Sequence, residues 1–123
     1  MTLVVDASAI GAIAFGEPDG PTLKAHLEGE TLVAPALIDF ELMNIAVKKI
    51  RQRPETAGQI AVGLAAALKI PLTRVAVPGL EVLVLASETG LTAYDAAYLW
   101  LARSRDIELV TLDKALARLT NSH

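Results

Sequence analysis

The chain has no cysteine, which excludes a disulfide framework and a thiolate metal centre. That absence suits a reducing compartment. No apolar run approaches the roughly 18 residues that a bilayer span needs. The N-terminal MTLVVDASAIGAIAFG lacks the basic start of a secretory signal, and Asp6 interrupts its apolar stretch. A cytoplasmic protein without membrane contact is therefore expected. Positive charge is also scarce: 11 Lys and Arg against 14 Asp and Glu leave a net charge of −3 and a pI near 5.3. This argues against general nucleic-acid binding through a basic surface, so an anionic substrate would need local cations or a metal. There is no glycine-rich phosphate loop, since GEPDGP (16–21) fits neither the P-loop nor the dinucleotide fingerprint. The two histidines, His26 and His123, have no spacing that would make them joint metal ligands.

What is present is apolar. Hydrophobic residues make up 53% of 123 positions, enough to bury a sizeable core, and one domain over 1–123 is expected. Short β-type runs are TLVV (2–5), TLVA (31–34), PLTRVAV (71–77) and IELVT (107–111). Helical stretches lie between them. They are ASAIGAIAF after Asp6, TLKAHLEG closed by Gly29, residues 36–53 after Pro35, residues 55–69 after Pro54, residues 79–89 closed by Gly90, TAYDAAYLWLARSR (92–105) and KALARLT (114–120). Strands alternating with helices predict an α/β fold with a mostly parallel sheet covered on both faces. The small residues of AGQIAVGLAAAL permit close helix packing, within the chain or between two copies.

Four carboxylates stand out by position. Asp6 follows the first strand and Asp113 the last, each just before a helix, so each suits an N-cap. Ligands of open α/β sheets bind beyond the carboxyl ends of the strands, and parallel strands present those ends at one edge. Asp95 in LTAYDAAYLW fits a capping box with Thr92. A cap explains an acid there, but not its flanking Tyr94 and Tyr98. Glu41 shares a half-buried helix face with Leu37, Ile38, Asn44 and Ile45, although a rim glutamate is the ordinary reading. Carboxylates gathered together repel, by about 4 kcal/mol per pair at ~4 Å and an effective dielectric of ~20. Protonation or a bound cation relieves this. An all-oxygen set favours Mg²⁺ or Mn²⁺, which engage phosphates and acidify an attacking water.

These segments resemble the PIN-domain ribonucleases, in particular the VapC-type toxins of toxin–antitoxin pairs, over essentially the whole chain. VVDASAI is similar to the family's opening strand and first acid, Asp6. APALIDFELMNIAVK is similar to the helix that carries Glu41 and then Asn44. LTAYDAAYLWLA and LVTLDKAL match the segments with Asp95 and with Thr111 and Asp113. The resemblance implies a three-layer α/β/α sandwich with four to five short, mostly parallel strands. It implies Asp6, Glu41, Asp95 and Asp113 as metal-binding catalytic acids, Ser8 and Thr111 as polar residues beside them, and Asn44 as a group orienting Glu41. It further implies Mg²⁺-dependent RNA cleavage, with Mn²⁺ able to substitute, a homodimer and a cognate VapB-type antitoxin. One departure is KALARL, which is aliphatic where the family often has an aromatic.

The remaining features are less specific. KKIRQR (48–53) is the main basic cluster; it reads as a solvated helix end, or as RNA contacts through Lys48, Lys49, Arg51 and Arg53. Arg74, Arg103 and Arg105 are scattered, and Trp100 is expected in the core or at an interface. Two other readings compete with the nuclease. A non-catalytic PIN-like interaction module would not need a full acidic set. A phosphoacceptor receiver domain would want paired acids after the first strand, where Asp6 stands alone.

Overall fold

The computed structural model describes residues 1–120; His123 lies outside them. Its strands are β1 (Thr2–Val5), β2 (Thr31–Pro35), β3 (Thr73–Val75) and β4 (Leu109–Val110). Its helices are α1 (Ala7–Ala14), α2 (Gly20–Leu27), α3 (Ile38–Gln52), α4 (Ala57–Leu68), α5 (Gly79–Thr89), α6 (Ala93–Arg105) and α7 (Lys114–Thr120). A 3₁₀ turn at Pro54–Thr56 joins α3 to α4, as the helix-breaking Pro54 requires.

All strand pairings are parallel and the order is β3-β2-β1-β4. The two central strands are apolar on both faces, as a sheet between helical layers requires: Leu3, Val4 and Val5 are all buried, as are Leu32, Val33 and Ala34, whereas the edge strand β3 (Thr73–Val75) is partly exposed. The chain builds outward from β1 through β2 to β3, then returns to place β4 on the other side of β1. The topological switch point therefore lies at the carboxyl ends of β1 and β4, where an open α/β sheet forms its ligand crevice.

Two expected strands are shorter than their sequence runs. Ile107 does not start β4, because its amide donates to the Ala102 carbonyl at 3.0 Å and so finishes α6. Asp106 takes the left-handed conformation at that helix end, φ 52°, in the place glycine usually fills. Thr111 falls just past β4, where its hydroxyl serves the site described below. In the 71–77 run, only Thr73–Val75 pairs, with β2 on one side and no strand on the other.

Helix α6 packs across β1, β2 and β4, and its Tyr98 is the largest fully buried side chain. Among the small residues of α4, Gly63 serves close packing within the chain, since a Cβ there would lie 2.6 Å from the Ala14 carbonyl oxygen of α1, whereas Gly58, Ala61, Ala65 and Ala66 are exposed. Backbone cannot yield as a flexible side chain does. Gly63→Ala should therefore lower stability by about 1–3 kcal/mol in urea denaturation, the usual cost of overpacking. An unchanged midpoint would show that α1 and α4 separate freely.

Candidate active site

Three backbone segments end at the switch point, and each brings an aspartate for a local reason. Asp6 leaves β1 and caps α1, its Oδ1 accepting from the Ala9 amide at 3.0 Å. Asp113 leaves β4 and caps α7, its Oδ1 accepting from the Leu116 amide at 3.1 Å. Asp95 sits in the first turn of α6, where Thr92 accepts from its amide at 3.1 Å. The capping roles are real, and they fix three carboxylates beside one sheet edge. Glu41, in the first turn of α3, is the fourth.

Asp6 is the buried member of the group, at 5% exposure. Both of its oxygens are engaged by hydroxyls: Ser8 donates to Oδ1 at 2.7 Å, and Thr111 donates to Oδ2. Ser8 also accepts from the Leu112 amide, and Thr111 from the Asp113 amide. This lattice ties the end of β1 to the end of β4, so Asp6 cannot swing away. Ser8 and Thr111 thus orient Asp6 and shape the β4–α7 turn that carries Asp113.

Glu41 is held by a residue that sequence reasoning placed only as a flank of Asp95. The Tyr98 hydroxyl donates to Glu41 Oε1 at 2.6 Å, joining α6 to α3. Among the described residues, no hydrogen bond links Asn44 to Glu41; instead, Asn44 lines a shallow depression with it. Burial and the adjoining carboxylate push the Tyr98 phenol far above the ordinary tyrosine value, so it stays a proton donor. Tyr98→Phe should keep the fold, cost about 0.5–1.5 kcal/mol, and raise the Glu41 titration further, because that hydrogen bond stabilises the carboxylate. Carboxyl NMR titration reads the shift; an unmoved Glu41 would mean the bond does not orient it.

The electrostatics follow from the crowding. Burial raises the Asp6 carboxyl above its ordinary range against the pull of Thr111, Ser8 and the Ala9 amide, and Asp113 adds to the rise. Glu41 is raised by burial, with Asp95 and Asp6 contributing, and is opposed by Tyr98. Asp95 is raised by burial, then by Asp113 and Asp6. The four acids therefore feel one another. Among the described residues none of them forms an ion pair with a lysine, arginine or histidine.

The donor set is entirely oxygen and anionic, which suits a hard divalent cation. Among the described residues, no three acids close into a finished ligand group. The four instead lie near enough for Asp6, Glu41 and Asp95 to be raised by their acidic neighbours without closing into such a group.

The basic cluster divides. Lys49 pairs with Glu17 and lies 5.9 Å from the Phe15 ring centroid, and Arg53 pairs with Glu55 at 3.1 Å. Lys48 and Arg51 are exposed and make no ion pair among the described residues. Arg74 is not idle: its Nε donates to both Asp39 oxygens, at 3.0 and 2.8 Å. His26 pairs with Glu108 across the surface. Trp100 is half-buried against the core.

A parallel sheet covered by helices, with strand-end acids at its switch point, defines the class: an α/β protein built to gather carboxylates at one edge. The family follows from comparison. The PIN domain model matches residues 3–121, and the chain belongs to the PIN domain family. PIN domains are generally metal-dependent nucleases. Among solved structures, the chain is similar to PAE2754 from Pyrobaculum aerophilum, with 30% identity and a TM-score of 0.79 over 98% of this chain and 85% of that one. No curated protein matches it. No helix among the described residues is long and apolar enough to cross a membrane.

Proposed function

We propose that the protein is a Mg²⁺- or Mn²⁺-dependent endoribonuclease, the toxin component of a VapC-type pair, acting as a homodimer and restrained by a VapB-type antitoxin. The observation that carries the nuclease reading is the unbalanced acidic patch: four carboxylates crowded at the switch point of a PIN fold, with no ion pair to a cationic side chain among the described residues. A fold keeps such a patch at a cost, and a bound cation removes that cost.

Asp6, Asp113, Asp95 and Glu41 would hold the ion, with Ser8 and Thr111 fixing Asp6 and Tyr98 fixing Glu41. The ion supplies positive charge for the phosphodiester and makes an attacking water more acidic. Burial of Asp6 and half-burial of Glu41 limit water around the charges, which strengthens their interactions.

The test incubates antitoxin-free protein with total RNA in Mg²⁺, Mn²⁺ or EDTA. Discrete fragments that require metal are expected. Intact RNA in every lane, together with no Mn²⁺ binding, would leave the non-catalytic interaction module as the correct reading. The toxin role is tested by expression: growth should stop in the wild type and continue with Asp95→Asn.

A further inference from the structure

Five aromatic side chains are present, and only Phe40 and Tyr94 are exposed, at 74% and 63%. Each immediately precedes one of the acids, Glu41 and Asp95. Although they are far apart in sequence, the two line one shallow depression of about 290 Å³. Glu41 and Asn44 form the rest of its wall with Leu37. Exposed aromatic area is costly in water, and here both instances sit at the rim of the acidic patch.

We infer that this depression is a nucleobase subsite, in which an unstacked base of single-stranded RNA lies on Phe40 and Tyr94 with its edge at the Asn44 amide. The inference rests on the nuclease reading and names the form of its substrate. Its volume lies just below that of small-molecule sites, about 300–1,000 Å³, and so suits one ring system rather than a larger ligand. Aromatic faces accept any base, but only when it is splayed from a duplex. An amide provides both a donor and an acceptor for a base edge.

Helix α3 continues the path. Phe40, Asn44, Lys48 and Arg51 recur at helical spacing on one exposed face, with Lys48 about 12 Å along the axis from Phe40. Lys48 and Arg51 carry no ion pair among the described residues, and Asp39 beside Phe40 is neutralised by Arg74. Ring, amide and cations in that order match a base followed by its phosphate backbone. A second copy of this chain fits less well, because the core of a protein–protein contact is depleted in charge and Glu41 walls this depression.

The test measures anisotropy of a short labelled unstructured RNA and of the same RNA with abasic riboses, in EDTA so that nothing is cut. The wild type should prefer the base-bearing strand. Phe40→Ala or Tyr94→Ala should erase roughly 5- to 150-fold of that preference, the range for loss of one stacked base. Tyr94→Phe and Phe40→Tyr, which keep a ring, should retain it. Equal affinity for both strands in wild type and variants, from a protein that still cleaves RNA in Mg²⁺, overturns the subsite and leaves the nuclease standing. No RNA binding and no cleavage overturns both. If the alanine variants instead halve the mass in sedimentation while keeping the base preference, the face is a contact between copies and the inference fails.

Discussion

Asp95→Asn should remove RNA cleavage, by well over 100-fold, while leaving the fold intact. Outer-shell changes at metal sites already cost about 10- to 100-fold, and a direct ligand should cost more. The substitution keeps size and backbone. It also keeps the cap, because Thr92 accepts from the residue 95 amide rather than from its carboxyl. The charge lost is one that burial and its acidic neighbours already disfavour, so the folded chain gives up nothing by its removal. Circular dichroism and thermal melting should match the wild type in EDTA. Cleavage at the wild-type rate would remove Asp95 from the site, and loss of the fold would make it chiefly a structural acid.

Asp6→Asn should leave the metal-free protein as stable or more stable, and should cancel the stabilisation that Mn²⁺ gives the wild type. Asparagine is as good an N-cap as aspartate, so the bond from the Ala9 amide survives. What disappears is a buried charge facing Asp113. The pH dependence has a defined sign. The Asp6, Glu41 and Asp95 carboxyls are raised above ordinary values of 3.8, 4.5 and 3.8. Between those values and the raised folded ones, the folded chain binds more protons than the unfolded chain, so stability falls as pH rises through that window. The penalty is fully present above the folded values. Lowering pH from above the raised folded values down through that window should therefore raise the Tm of metal-free wild type, by roughly 3–6 °C for each kcal/mol recovered. The rise should be smaller in Asp6→Asn. An unfolded metal-free variant would show that the Asp6 charge is needed for capping and for the hydroxyl network.

The order of elements was legible because proline and glycine punctuate it. Pro54 separates α3 from α4, and Gly90 closes α5 in the left-handed conformation that glycine adopts freely. Strand ends were less legible. In IELVT, Ile107 looks like any other β-former, and only the folded chain shows its amide completing α6.

Local signals sufficed to place Asp6, Asp95 and Asp113 at helix starts, since the sequence marks each as a capping or first-turn position. The Tyr98–Glu41 bond was not legible, because it joins residues 57 apart on different helices. Periodicity assigns Tyr98 to a buried face but cannot say what its hydroxyl meets. The basic cluster shows the same limit. Lys48 and Lys49 are neighbours in sequence, yet the helix turns one toward Glu17 and leaves the other in solvent. Tyr94 stood out in sequence only as a flank of Asp95, and nothing marked Phe40; the fold exposes both beside one depression.

The most direct test of the account is Mn²⁺ titration of the metal-free protein by calorimetry at neutral pH, with Asp6→Asn alongside. The acidic patch predicts saturable binding in the wild type, a matching rise in Tm, and loss of both in the variant. Equal Mn²⁺ binding by both proteins, or none by either with an unchanged Tm, would contradict the claim that these four acids form a cation centre.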